Sequence, residues 1–139
     1  MARGRAFTLM EVILVVVIIA LLATLVTINL VGYGLKAKIA AAKAQIASFE
    51  NALTGFDMNC SRYPTTTEGL NALIEEPSDL PAGAQWRREL AKKYIPKDPW
   101  GQDYIYRCPG TDDEDTYDLF SVGPDGSEGT DDDIGSTPE

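Results

Sequence analysis

The feature that most constrains this chain is an unbroken apolar run near its N-terminus. From Val12 to Val31 there are twenty residues without a formal charge, and only Thr24, Thr27 and Asn29 are polar. A helix of twenty residues is about 30 Å long, which matches the hydrocarbon thickness of a bilayer. The run therefore predicts a transmembrane helix.

Basic residues set the expected orientation of this helix. Because Arg3 and Arg5 precede the run, the positive-inside rule leaves the first residues in the cytoplasm and sends the chain after Val31 across the membrane. A cleaved secretory signal peptide is the alternative. The run is longer than a usual signal core, however, and no convincing small-x-small cleavage site precedes Lys36 and Lys38.

Composition argues against two broad classes of function. The 139 residues include 12 Lys and Arg against 21 Asp and Glu, a formal net charge of −9, and such an acidic chain is a poor nucleic-acid binder. Histidine is absent, which removes the usual general base at neutral pH and most zinc sites. The chain also has no G-x-S-x-G motif and no P-loop. We therefore do not expect an enzyme.

Glu11 lies directly before the apolar run. An ionised carboxylate there is costly to bury unless a cation neutralises it. One interpretation is an acid that snorkels to the membrane interface. In the other, removal of the basic leader before Phe7 exposes an α-amino group near Glu11. Glu11 can then meet that amine within its own helix or, where helices pack, neutralise the amine of a neighbouring copy. The contact between copies predicts self-assembly.

A second apolar pattern follows the run and predicts that the helix continues. Gly32 and Gly34 lie at the junction, and each costs roughly 1 kcal/mol relative to alanine, so we expect the helix to be weakest there. The pattern predicts one helix of about fifty residues whose second half packs on its own domain; a coiled coil is the alternative. The residues at spacings of three and four are Leu35, Ile39, Ala42, Ile46, Phe49, Leu53 and Phe56.

The rest of the chain predicts a small head of α+β class. A capping box at Thr65–Glu68 opens a short helix that stops before Pro77. A further helical piece is expected over Trp86–Tyr94. The β-rich runs Tyr104–Cys108 and Tyr117–Val122 predict antiparallel strands laid on the helix seam.

Acidic residues dominate the C-terminal part of the chain. After Arg107 there are eleven Asp or Glu and no Lys or Arg, a composition that is usually a solvated, flexible tail. A turn at Asp125-Gly126 can nevertheless bring Asp132 and Asp133 back toward Asp125. Converging oxygen donors suit calcium. From the residues alone, a calcium loop and a flexible tail both stay open.

Two cysteines, Cys60 and Cys108, would lie outside the cytoplasm in this topology. A disulfide between the end of the long helix and a strand is one expectation there, and two separate buried thiols are the other.

Several motifs, in order along the chain, now carry a family resemblance. The segment Ala6–Glu11 before an apolar helix resembles the class III signal of type IV pilins and pseudopilins. The head resembles the major pseudopilins of type II secretion systems, the G subunit, within the type IV pilin-like superfamily. The stretches that carry the second resemblance are Arg62–Thr66, Glu68–Leu70, Pro96–Gly101, Tyr117–Ser121, Gly123–Gly126 and Gly129–Gly135.

The resemblance implies a pilin-like α+β fold and roles for particular residues. A prepilin peptidase would cut between Ala6 and Phe7 and methylate Phe7, although the usual residue before the cut is glycine. Glu11 would be the assembly residue. Calcium would be held by the carboxylates of Asp125, Asp132 and Asp133, helped by backbone carbonyls near Val122 and Thr130. Cysteines are not part of the usual G-subunit pattern.

The resemblance also implies an organisation and partners. Residues 1–6 would be the leader, 7–31 the transmembrane and assembly helix, and 32–139 a periplasmic head. The protein would insert in bacterial inner-membrane lipid with its N-terminus in the cytoplasm, and then form a periplasmic homopolymer. Minor pseudopilins, the inner-membrane assembly platform and prepilin peptidase would be partners, and nucleic acid would not. A type IV pilin and a monomeric membrane-anchored calcium-binding domain are the alternatives.

Overall fold

A computed structural model describes residues 7–111 and 113–135, with the side chains of residues 25–32 left undescribed. The predicted leader, with Ala6, lies outside the described residues, as do the side chains at 25–31 of the predicted transmembrane run. The described part of the chain has the predicted α+β class, with one long helix and a small antiparallel sheet.

The long helix α1 runs from Leu9 to Cys60, 52 residues without a proline. Thr8 caps its start, because the Glu11 N–H donates to both the carbonyl and the hydroxyl of Thr8, at 3.1 and 3.3 Å. The helix ends where Ser61 takes a left-handed φ of 56°. The prediction of a single helix of about fifty residues is therefore confirmed.

The chain divides into two compact units, Met1–Ala37 and Lys38–Glu139. In the first unit the large apolar side chains from Phe7 to Leu22 are exposed. Among the described residues, no helix has an apolar stretch long enough to span a membrane. The second unit contains the sheet and the hydrophobic core.

Three short strands form the sheet in the order β1–β2–β3, antiparallel throughout: β1 is Ile105–Arg107, β2 is Asp118–Ser121 and β3 is Ile134–Gly135. The first two are the predicted strands. The sequence does not predict the third, because two residues with a glycine give no strand pattern. It forms because Gly135 has no side chain to collide with Phe120, its partner in β2.

The core of the second unit lies between α1 and the sheet. The edge of the Phe49 ring meets Tyr104 with centroids 5.1 Å apart, which ties the helix to the residue before β1. The predicted seam is thus confirmed from Ala42 onward, while Leu35, in the first unit, is 44% exposed. Among the described side chains of the helix, the buried ones are those of Ala42, Ile46, Phe49, Ala52, Leu53, Phe56 and Cys60.

The predicted capping box is present. The Thr65 N–H donates to Glu68 Oε2 at 2.7 Å, and the Glu68 N–H donates to Thr65 Oγ1 at 3.3 Å. The helix after it is a single 3₁₀ element, Gly69–Leu73. Gly69 has a φ of 59°, which interrupts regular helical geometry directly after the box.

The prediction of a helix over Trp86–Tyr94 is wrong, because this segment is irregular. Its donors go to the neighbouring 3₁₀ helix instead of to carbonyls four residues back. The N–H groups of Glu89 and Leu90 donate to the Leu73 carbonyl at 3.0 and 3.3 Å, and the Trp86 indole N–H donates to the Ala72 carbonyl at 2.9 Å. These long-range hydrogen bonds hold the segment across the head.

Candidate functional site

The first candidate site is the start of α1. Between Leu9 and Thr24 the helix carries a single charged residue, Glu11. Its carboxylate makes no hydrogen bond or ion pair with another described residue, and the side chains of Phe7 and Met10 beside it are 77% and 78% exposed. Within the described residues, the arrangement is one acid without a charged partner on an exposed apolar helix. Such a surface can take up an apolar partner that brings a cation to the same depth.

The second candidate site is the acidic loop, residues 122–133, between β2 and β3. Two of its aspartates shape the loop through backbone donors. Asp125 Oδ1 accepts the Ser127 N–H at 2.9 Å, and Asp133 Oδ2 accepts the Gly129 N–H at 2.8 Å. The first is an Asx turn, and the second runs back four residues along the chain; both are local and fold the segment into turns. The loop is therefore not a formless acidic tail.

One atom of the acidic loop is left without a partner. Oδ1 of Asp133 is buried and accepts no hydrogen bond within the described part of the chain. A buried carboxylate oxygen in that state is costly, and a bound cation would satisfy it. The predicted ligands thus fit calcium at Asp133, where an oxygen donor is already desolvated.

The side chains of the predicted ligands do not form a compact cluster in the described part of the chain. Within the described residues, no three acidic, cysteine or histidine side chains are close enough to form a metal-binding cluster. Asp132 is exposed, and Val122 is buried directly after β2. The Thr130 carbonyl accepts the Asp133 N–H at 3.1 Å and keeps a second lone pair. A cation here would rely on backbone carbonyls beside the carboxylates, a donor mixture that calcium accepts.

A buried carboxylate, that of Asp98, contacts the strand residue directly before the acidic loop. Asp98 is 5% exposed, and its Oδ2 accepts a hydrogen bond from the Ser121 hydroxyl at 2.6 Å. The same hydroxyl oxygen accepts the Gly123 N–H at 3.2 Å. Sequence reasoning did not find this pair. The signal available was an aspartate between two prolines, which indicates a structured turn but names no partner.

Two further contacts fix the strands beside the acidic loop. Asp118 at the start of β2 is buried and accepts both the backbone N–H and the hydroxyl of Thr111. Arg107 at the end of β1 donates to both oxygens of Glu128, at 2.6 and 2.8 Å. These hydrogen bonds hold the pKa of Glu128 below its usual value. The acidic loop is thus tied to β1 as well as to β2.

A bidentate ion pair closes the turn after the long helix. Arg62 donates to both oxygens of Glu68 at 2.7 Å, with side chains 23% and 18% exposed. The hydrogen bonds from Arg62 lower the pKa of Glu68 to about 2. Glu68 is also the residue that receives the Thr65 N–H, so one carboxylate serves both the capping box and the ion pair.

Cys60 and Cys108 are both free thiols, so the predicted disulfide is not formed in this structure. Cys60 is buried at the end of α1, where burial raises the pKa of its thiol, while the charge of Arg62 lowers that pKa and the charge of Glu89 raises it. Cys108 instead lies near the phenol of Tyr106, whose pKa is raised chiefly by burial and then by Cys108. The two sulfurs occupy different surroundings.

Comparison with known proteins gives consistent matches. Residues 29–137 match the family described as "Type II secretion system (T2SS), protein G". The chain is 45% identical over 132 residues to the type II secretion system core protein G of Escherichia coli strain K12, spanning 95% of this chain and 90% of that protein. It is 43% identical over 134 residues to the core protein G of Aeromonas hydrophila, spanning 96% and 92%.

A solved structure is similar as well. It is the crystal structure of the major pseudopilin from the type 2 secretion system of enterohaemorrhagic Escherichia coli, with a TM-score of 0.63 and 37% sequence identity. The match covers 78% of this chain and 93% of the other.

Proposed function

Because the chain belongs to the type II secretion system protein G family, the major pseudopilins of these systems, we propose that it polymerises through its N-terminal helix into a periplasmic filament. Growth of that filament would drive folded proteins across the outer membrane. The observation that carries the proposal is Glu11, an acid on an exposed apolar helix whose carboxylate has no partner among the described residues. The family is one of structural pseudopilins, and the chain is not an enzyme.

The proposed assembly step is a charge neutralisation between copies. Cleavage between Ala6 and Phe7 leaves Phe7 as the new N-terminal residue, and its α-amino group is methylated. When two helices pack, the amine of one copy reaches Glu11 of the next. In a medium of low dielectric an unpaired charge is expensive, so an added copy is favoured only if it brings the opposite charge to the right depth. Polymerisation and the axial offset between neighbouring helices then depend on the same contact.

The proposal includes a location and partners. Before assembly the chain is a single-pass protein of the bacterial inner membrane, with Arg3 and Arg5 in the cytoplasm and the head in the periplasm. Prepilin peptidase removes the leader, and the inner-membrane assembly platform and minor pseudopilins act in filament growth. The acid excess of the chain, 21 Asp and Glu against 12 Lys and Arg, argues against nucleic acid as a partner.

The proposal also includes calcium as a structural ion of the head. Asp125, Asp132 and Asp133 would hold it, with carbonyl oxygens near Val122 and Thr130. The buried, unpartnered Oδ1 of Asp133 supports this assignment. The ion supplies stability to the folded loop and takes part in no catalysis, because a ligand that binds only the folded state stabilises it.

The test is Glu11→Ala in the full-length chain, expressed with a complete secretion machinery and a secreted reporter protein. We expect filaments to disappear by electron microscopy and the reporter to remain in the periplasm. Glu75→Ala is the matched control, since it removes one carboxylate from the exposed surface of the head. Filaments of Glu11→Ala at the yield of the control would contradict the assembly role.

A second measurement tests processing. The mass of the mature chain should correspond to a start at methylated Phe7. A chain that keeps Met1 in assembled filaments would contradict the proposed cleavage. If the unsubstituted protein instead forms calcium-loaded monomers and no filaments, a membrane-anchored calcium-binding domain is favoured.

A further inference from the structure

We propose that Asp98 is a positioning residue for the acidic loop, acting through Ser121 on the backbone at Gly123. The inference rests on the calcium binding proposed above and deepens it. Asp98 sets the direction of the Val122 carbonyl, one of the proposed ligands, without being a ligand itself.

The first step is the fixed position of the Asp98 carboxylate. Its Oδ1 accepts the N–H groups of Trp100 and Gln102 at 3.0 and 2.8 Å. The turn around it is closed by backbone bonds, since the Asp98 N–H donates to the Gln102 carbonyl at 2.8 Å and the Gly101 N–H donates to the Asp98 carbonyl at 3.0 Å. A carboxylate held by this many donors at 5% exposure has little freedom to move.

The second step is the polarity of the Ser121 hydroxyl. Ser121 is fully buried and has one hydroxyl hydrogen, which it donates to Asp98 Oδ2 at 2.6 Å. Because that hydrogen is committed to the carboxylate, the oxygen offers a lone pair to the Gly123 N–H at 3.2 Å. Asp98 thereby determines that the Ser121 hydroxyl oxygen accepts a hydrogen bond from the acidic loop.

The third step follows from the planarity of the peptide group. The Gly123 nitrogen and the Val122 carbonyl belong to one planar trans peptide, so fixing the N–H fixes the direction of the carbonyl. Gly123 also has a φ of 69° and lies against the Asp132 carbonyl. A hydrogen bond at this one amide therefore orients backbone groups at both ends of the acidic loop, as outer partners of metal ligands do.

The chain provides a matched control in Asp118. Its exposure is 5%, equal to that of Asp98, and it lies at the start of the same strand whose last residue is Ser121. Its carboxylate accepts hydrogen bonds from Thr111, a residue that precedes β2 in the chain, whereas Gly123 follows β2. Asp118→Asn perturbs a buried carboxylate of the sheet without touching the Asp98–Ser121–Gly123 relay.

The experiment measures calcium affinity by isothermal titration calorimetry on the full chain in detergent micelles. Ser121→Ala removes the relay, and Asp98→Asn places an amide donor against the Ser121 oxygen in competition with the Gly123 N–H. We expect each to weaken calcium binding about tenfold, the low end for outer-sphere partners, and Asp118→Asn to stay within about threefold of the unsubstituted chain. The Asp98→Asn/Ser121→Ala double variant should bind no more weakly than Ser121→Ala alone, because both act through one relay.

The possible failures separate the two proposals. If the unsubstituted chain binds no calcium, the calcium proposal fails and this inference fails with it. If it binds calcium and the relay variants bind as tightly as Asp118→Asn, this inference alone is overturned. Should Ser121→Ala not fold, Asp98→Asn carries the comparison with Asp118→Asn. A calcium-independent readout is hydrogen exchange of the Gly123 amide, which should be protected in the unsubstituted chain and faster in the relay variants; equal rates would overturn the inference.

Discussion

The backbone of Gly123 lies against the carbonyl oxygen of Asp132, and this contact brings the two ends of the acidic loop together. A Cβ on residue 123 would fall far inside contact distance of that oxygen. Gly123 also has a φ of 69°, a conformation that strains residues with a side chain. The loop needs glycine here for two separate reasons, of which only the first depends on the tertiary structure.

Gly123→Ala should therefore destabilise the chain by more than about 2 kcal/mol, the strain of positive φ plus displacement of the Asp132 backbone. Gly129→Ala is the control, because Gly129 has a φ of 81° but no neighbouring atom lies within 4 Å of the position that its Cβ would take. It should cost about 1 kcal/mol. Thermal unfolding of the full chain in detergent measures both, and equal losses would mean that the Asp132 contact does not matter.

The seam of α1 gives a second prediction. Leu53 is fully buried against the head, so Leu53→Ala should cost about 2 to 5 kcal/mol through lost burial and a cavity. Leu35 occupies the same seam pattern but is 44% exposed, and Leu35→Ala should change stability by less than about 0.5 kcal/mol. Comparable losses at the two positions, measured by denaturant unfolding, would contradict the described burial.

The Arg62–Glu68 ion pair makes the free energy of unfolding depend on pH. The pKa of Glu68 falls from 4.5 to about 2 on folding. Because the folded value is the lower one, the stabilisation is fully present above about pH 4.5 and is lost as the pH falls toward 2. Its full size is at most about 3 kcal/mol, and solvent screening of the partly exposed pair reduces it. In Glu68→Gln this part of the pH dependence should vanish.

The control for that measurement is Glu75→Gln, at an exposed position with no ion pair to a described residue. Unfolding midpoints measured between pH 2 and pH 5 should fall as steeply in this variant as in the unsubstituted chain. A Glu68→Gln curve that parallels the control would show that the ion pair contributes no acid sensitivity.

Chelation tests the acidic loop. Adding EDTA to the calcium-loaded full chain should lower its melting temperature, since a ligand at a hundredfold excess over its Kd stabilises the folded state by about 2.7 kcal/mol. Asp125→Ala should abolish the chelator effect, whereas Glu76→Ala, an exposed acid outside the acidic loop, should retain it. An unchanged melting temperature in the unsubstituted chain would count against the site.

The cysteines give a fifth prediction. With both thiols free, the chain unfolded in guanidinium without a reductant should titrate as two thiols. In the folded chain Cys60 should react more slowly than Cys108, because it is buried and its raised pKa leaves less reactive thiolate. Cys60→Ser should remove the slow phase alone. A count of zero would instead indicate a disulfide.

The local patterns of the sequence predicted most of the fold. The repeat of apolar residues along α1, the capping box at Thr65–Glu68 and the strands near Tyr106 and Leu119 all depend on residues close in sequence, and all are present. The helix predicted over Trp86–Tyr94 is wrong because the backbone donors of that segment are satisfied by Leu73, a partner that no local pattern indicates.

The sequence by itself determined the long helix, the α+β class, the acidic loop and the lone charge at Glu11, because periodicity, capping and charge are properties of neighbouring residues. Only the tertiary structure decided that Asp98 and Ser121 meet across 23 residues, that Ile134–Gly135 becomes a strand, and that Cys60 is buried while Cys108 is half-buried. Such contacts form when distant segments pack on one core, and their geometry depends on the whole fold.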